Sequence, residues 1–213
     1  MTRVLLAALL IASGARAGEP EPSDRSAPAI PSNGVDESPR RGTFAEASLG
    51  VFATLGGSRA LSNAQPWLGF TFGRDLGSSA SLFASIGAGA SSASCYQIAP
   101  SGSCAASDSF SAAFLEAGVA YGTWMARRLL LSGKLLGGAT LFSPSPFTKN
   151  AAVPDRAIGP HVGAGLGLDY DTRLSHFGVG LDAVARYSLA PTDGGGRSGI
   201  ASLALMPRIR YVF

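Results

Sequence analysis

Three features of the sequence predict its fold class. Eight stretches alternate apolar with small or polar residues, their connections are by turns long and short, and no later stretch offers the roughly 20 apolar residues of a membrane helix. Together they predict an all-β chain, an eight-stranded antiparallel transmembrane β-barrel of the outer-membrane kind. A period of two sends successive side chains to opposite faces of a strand. Here one face is apolar and the other small, hydroxylated or charged, as a wall between lipid and a filled interior requires. With no membrane helix available, only a closed sheet satisfies its backbone groups in hydrocarbon.

The chain divides before the barrel begins. Thr2 and Arg3 precede the apolar run 4–12, and Ala15-Arg16-Ala17 before Gly18 fits a small-x-small cleavage site, so residues 1–17 are expected to be a secretory signal peptide. No cysteine lies near Ala17, which argues against a lipid-modified amino terminus. Loss of Arg3 and Arg16 would leave 15 basic against 14 acidic residues. A nearly neutral chain with dispersed charges gives no support to a nucleic-acid partner. Residues 18–41 hold Pro20, Pro22, Pro28, Pro31 and Pro39 among Ser, Asp and Glu, a composition that predicts a disordered periplasmic linker. The barrel is expected over 42–213.

The strands follow in order. In 43–54, Ala45, Ala47, Leu49 and Val51 face outward, and Glu46, Ser48 and Gly50 inward. In 66–74, Leu68, Phe70 and Phe72 oppose Gly69, Thr71 and Gly73; in 80–92, Leu82, Ala84, Ile86 and Ala88 oppose Ser85, Gly87 and Gly89. The fourth, 109–123, sets Leu115, Ala117, Val119 and Tyr121 against Phe114, Glu116 and Gly118. The fifth, 129–142, sets Leu129, Leu131 and Leu135 against Ser132, Lys134 and Thr140. In 160–170, Val162, Ala164, Leu166, Leu168 and Tyr170 face away from His161, Asp169 and three glycines; in 176–188, Phe177, Val179, Leu181 and Ala183 face away from Asp182 and Arg186. The last strand, 200–213, turns Leu203, Leu205, Ile209, Tyr211 and Phe213 outward and Met206, Arg208 and Arg210 inward. Its aromatics Tyr211 and Phe213 resemble the carboxy-terminal assembly signal of outer-membrane barrels, which implies the barrel assembly machinery as a partner during insertion. Pro207 is expected to interrupt this strand.

Connections at 56–63, 95–107, 143–159 and 190–199 are long, and those at 76–79, 125–128 and 171–175 are tight. Short periplasmic turns and long external loops give this alternation, and an even strand number would place both termini in the periplasm. Cys95 and Cys104 flank one long loop, and export favours a disulfide between them. Such a link would stabilise by roughly 2 to 3 kcal/mol on the chain-entropy model.

Inside, Glu46, Glu116, Asp169 and Asp182 face Lys134, Arg186, Arg208 and Arg210. An eight-stranded barrel is only wide enough for its own side chains, so this balanced set predicts a lumen charge network rather than a pore. A lipid-modifying enzyme is a weaker alternative, resting on His161 near the outer rim; His176, the other histidine, falls at the opposite end. The carboxylates lack the spacing of a calcium loop, and no cofactor motif is present. External loop residues Tyr96, Gln97, Ile98, Phe147, Lys149 and Asn150 remain as candidate contacts for adhesion or recognition.

The runs Arg41-Gly42-Thr43-Phe44, 50–58 (GVFATLGGS), 62–66 (SNAQP), 90–95 (ASSASC), 168–171 (LDYD) and 207–213 (PRIRYVF) resemble the CglE family of adventurous gliding motility proteins of myxobacteria. The likeness covers about 41–213. It implies a noncatalytic outer-membrane component of the gliding apparatus, a scaffold or anchor working with outer-membrane lipid and other envelope proteins, and it transfers no active-site residue.

Overall fold

The computed structural model describes residues 42–56, 61–92, 109–147, 156–174, 176–192 and 195–213. The expected signal peptide and linker, and Cys95 and Cys104 with their proposed disulfide, lie outside these residues. The strands are β1 (Thr43–Leu55), β2 (Gln65–Asp75), β3 (Ala80–Ser92), β4 (Ser109–Ala126), β5 (Leu129–Ser143), β6 (Ala157–Asp171), β7 (Phe177–Pro191) and β8 (Arg197–Val212). Each pairs antiparallel with the next, and β8 returns to β1 to close an eight-stranded barrel. The predicted fold class is therefore the observed one.

The register fixes the barrel's dimensions. Starting at Phe44, paired residues run through Gly73, Phe83, Gly118, Leu136, Gly163, Arg186 and Ser202 and return to β1 at Thr54, ten residues along. With a rise of about 3.3 Å per residue and strands about 4.7 Å apart, that stagger gives a tilt of about 40° and a backbone radius of roughly 8 Å. Such an interior is filled by side chains reaching in from all sides. The inward glycines make the room. A Cβ on Gly89 would lie 2.6 Å from the Phe52 ring, and one on Gly180 would lie 2.9 Å from Arg208 Nε.

The strands are longer than the alternation alone indicates. β4 continues to Ala126 across an irregularity between Trp124 and Ala126, β6 starts at Ala157, and β7 runs to Pro191. Cross-strand hydrogen bonds carry each ladder past its clearly patterned residues. Pro207 does not end β8. The β1–β8 register is the same at Ser48↔Arg208 and Val51↔Leu205, with Leu49, Gly50, Met206 and Pro207 unpaired between them. Proline has no N–H to donate, so it leaves a gap rather than a break. Gly50 fits that gap, because a Cβ there would collide with the Leu205 carbonyl oxygen.

The outer wall is apolar. Leu49, Leu68, Phe70, Ile86, Leu115, Val119, Leu135, Val162, Leu166 and Ile209 are all exposed, and the outward charges of the described residues sit at strand ends and turns. A continuous apolar belt of this extent has no stable place in water, and it suits hydrocarbon. Leu135, 63% exposed midway along β5, tests that assignment. Leu135→Arg is expected to cost about 2 to 4 kcal/mol of stability in lipid vesicles. Unfolding titrations of the refolded variant would measure the loss; an unchanged midpoint would place this face in water.

Candidate functional site: a charged lumen beneath an aromatic plug

The stagger of the strands brings distant residues to one level inside the barrel. Arg208 on β8 is the hub. It pairs with Glu46 on β1, with Asp169 on β6 at 2.5 Å, and through Nε with Asp182 on β7 at 3.2 Å. Asp182 Oδ2 also accepts from Lys134 of β5 at 2.5 Å. Arg210 lies 3.6 Å from Glu46 and donates to both carboxylate oxygens of Asp75 at 2.6 and 2.7 Å. The Arg210 guanidinium also stacks 3.7 Å from the Phe44 ring centroid. Buried charges hold only if each is paired or hydrogen-bonded. Gly167 and Gly180 make space for this group, since a Cβ on either would press on Asp182 or on Asp169 and Arg208.

Nearer the long loops a second pair crosses the barrel. Arg186 on β7 donates from Nε to Glu116 Oε1 on β4 at 2.7 Å, and from Nη2 to Oε2 at 3.3 Å. Its guanidinium carbon lies 4.6 Å from the Trp67 ring and 5.1 Å from that of Phe114. Such cation–π contacts add to a desolvated ion pair. All eight residues of the expected network thus meet in the lumen, as two groups rather than one. Asp75, the ninth member, was not foreseen. It continues the inward series Trp67, Gly69, Thr71 and Gly73 by one more step of two, and the signal lay just past the predicted end of the strand.

Above the Arg186–Glu116 pair the interior turns aromatic. Phe52 stacks on Trp67 at 5.7 Å, Phe114 packs against both at 5.8 and 5.4 Å, and Phe110 meets Phe142 at 6.0 Å. Phe147, expected as a free loop contact, packs partly against this cluster. Buried hydroxyls surround the plug. Thr54 and Ser91 share a hydrogen bond of 2.6 Å, and Ser91 donates to Ser62 at 3.0 Å. His161 faces inward and is buried, as does Thr140, whose Oγ1 lies 2.9 Å from His161 Nδ1 and 3.1 Å from Ser188 Oγ. Among the described residues no carboxylate hydrogen-bonds this imidazole, and the Phe114 ring lies edge-on to it at 5.4 Å. Its Nδ1 is thus engaged by Thr140, while its buried Nε2 has no hydrogen-bond partner within the protein.

Below the plug a cavity of about 110 Å³ extends toward the tight-turn end, reaching Gly77, Ser78 and Ser79. It has room for several waters. Trp67 Nε1, Arg186 Nη1 and Asp182 Oδ1 have no hydrogen-bond partner within the protein, and their residues line this cavity. The lumen is therefore roomy enough for water at one end and closed by rings toward the other.

The expected assembly residues sit on the outside of the same tight-turn end. Tyr211 packs against His176 at 5.7 Å, Phe177 at 5.1 Å and Phe213 at 5.0 Å. His176 Nδ1 lies 2.8 Å from the Val212 carbonyl oxygen, and the Phe213 N–H donates to Thr43 at 2.9 Å. The aromatics thus clasp β7, β8 and the start of β1 where the barrel closes.

Replacement of Arg208 would leave three buried carboxylates without their shared cation. Arg208→Met is expected to destabilise the barrel by roughly 3 to 5 kcal/mol, and adding Glu46→Gln to recover part of that loss. Denaturant unfolding in detergent micelles would measure both; additive losses would show that the two side chains act independently.

No family model matches the chain, and no curated protein does. Solved structures do resemble it. Neisserial surface protein A shares 14% identity at a TM-score of 0.54, over 80% of this chain and 97% of that one. The attachment invasion locus protein Ail of Yersinia pestis shares 12% identity at a TM-score of 0.45, over 81% and 99%. The amino-terminal β-barrel domain of OprF from Pseudomonas aeruginosa shares 14% identity at a TM-score of 0.41, over 79% and 98%. At these identities the likeness concerns the fold alone, and in fold the chain is an eight-stranded outer-membrane β-barrel.

Proposed function

We propose that this chain is a noncatalytic outer-membrane anchor serving the adventurous gliding apparatus. It holds position in the bilayer while its long external loops or its amino-terminal arm engage other envelope proteins, with both termini on the periplasmic side. The observation that carries the reading is the lumen itself, where buried ion pairs and stacked rings occupy the space a channel would need. A barrel filled this way offers its surroundings only its rims, loops and outer wall. The gliding assignment rests on the resemblance of the runs at 41–44, 50–58, 62–66, 90–95, 168–171 and 207–213 to the CglE family. Cell-surface adhesion uses the same exposed loops and is the nearest competing task.

Two measurements separate these. Clean deletion of the gene is expected to stop single-cell movement on firm agar, with recovery on return of the intact gene; normal movement would leave the anchor without its gliding task and favour adhesion. In planar bilayers the purified barrel is expected to give no stable conductance steps. Sustained single-channel steps from the intact chain would replace the anchor reading with a pore.

A further inference from the structure

Charge is sorted between the inside and the outside of this barrel. All six acidic residues among the described residues, Glu46, Asp75, Glu116, Asp169, Asp171 and Asp182, line the lumen cavity. Lys134, Arg186, Arg208 and Arg210 join them there. What remains exposed outside is arginine alone: Arg74, Arg127 and Arg173 at the tight-turn end, and Arg156 and Arg197 at the other, with Arg128 half-buried beside the second turn. Every one of these is an arginine, the side chain whose planar fork matches a phosphate group.

At the tight-turn end the arginines follow a pattern. Each turn carries one exposed arginine beside one exposed large apolar side chain. Arg74 is followed by Leu76, which is 53% exposed; Arg127 is preceded by Met125, at 62%; Arg173 is followed by Leu174, at 65%. Hydrogen bonds join the turns into one arc. The Gly122 N–H next to the second turn donates to Ser79 of the first at 2.7 Å, and the Asp171 N–H leading into the third donates to Arg128 of the second at 2.9 Å. Just inside the arc, on the outer wall, stand the exposed rings of Phe72, Tyr121 and Tyr170. Aromatic rings mark the level where hydrocarbon gives way to headgroups. Three times over, an exposed apolar side chain thus stands one or two residues from an exposed arginine, the pairing that suits an acyl boundary beside a phosphate.

We propose that this arc selects anionic glycerophospholipid headgroups in the leaflet it faces. The arginines donate to the lipid phosphate and to a second negative charge where the headgroup has one, while Leu76, Met125 and Leu174 seat in the acyl boundary. No outward carboxylate among the described residues competes for the guanidinium groups of Arg74, Arg127 and Arg173. The proposal concerns the barrel's lipid contacts and holds for either task considered above.

Native mass spectrometry of the full chain tests it, after exchange from mixed micelles holding equal phosphatidylglycerol and phosphatidylethanolamine. Wild type is expected to retain phosphatidylglycerol over phosphatidylethanolamine by at least about fivefold. The triple variant Arg74→Gln/Arg127→Gln/Arg173→Gln should bring that ratio to near unity. Arg156→Gln/Arg197→Gln, at the opposite end, should leave it unchanged. A heat-modifiable gel shift in each variant establishes that the barrel is folded, so the lipid ratio is read apart from the fold. Equal retention in wild type would overturn the proposal, as would an equal loss from both variants. Displacement of the lipid by a few millimolar inorganic phosphate would also overturn it, by showing a site for a free anion.

Discussion

The structure depends on a charge that has nowhere else to go. Arg208 points into a barrel whose radius admits side chains and little more, and on the lipid side the same guanidinium would be costlier still. Three carboxylates from three other strands converge on it, and through Asp182 they engage Lys134. A ten-residue stagger sets those side chains at one height, so the register of the wall and the chemistry of the interior determine each other. A slip of one residue in β8 would turn Arg208 and Arg210 to lipid and bring Pro207 and Ile209 inside. The network thus acts against misregistered closure as much as it holds the native one.

The lumen is built in levels, each with its own means of filling space. Toward the tight turns, arginine and lysine reach across glycine-lined wall to carboxylates. In the middle, the Arg186–Glu116 pair is shielded by the Trp67 and Phe114 rings. Toward the long loops, Phe52, Phe110 and Phe142 pack with hydroxyls that bond one another. Polarity therefore falls along the axis; the unpartnered atoms of Trp67, Arg186 and Asp182 border the cavity, where water can satisfy them, while those of His161 and Ser202 lie away from it.

Much of this was legible in the sequence because a period of two is a strict rule in a two-faced wall. Glu46, Asp169 and Arg208 had to face inward once Leu49, Leu168 and Ile209 faced lipid, and balanced charge implied pairing. Which acid would meet which base was not legible, since that follows from the stagger and not from alternation within one strand. Asp75 was missed for a related reason: a short run ending in Arg74-Asp75 reads as the approach to a turn, although the period of two carries one step further and the bond to Arg210 marks it as interior. Pro207 misled in the other direction, because a missing donor is harmless where the opposite residue is Leu49 or Gly50 and the ladder resumes in register. His161 was placed on the correct face, but its partner Thr140 comes from β5 and is itself bonded to Ser188 of β7, and nothing local in the sequence points to them.

The gap at Pro207 divides the closing seam into two short zippers of unequal character. On the tight-turn side of the gap, five pairs from Phe44↔Val212 to Ser48↔Arg208 run past Glu46, Arg208 and Arg210, so parting the strands there means pulling opposite charges apart. On the other side, five pairs from Val51↔Leu205 to Leu55↔Ala201 join residues that are apolar, small or hydroxylated. Thermal fraying of the cylinder is thus directional. Opening from the rim near the long loops meets only uncharged pairs as far as the proline gap, and the ion-paired half beyond it is what holds the cylinder shut.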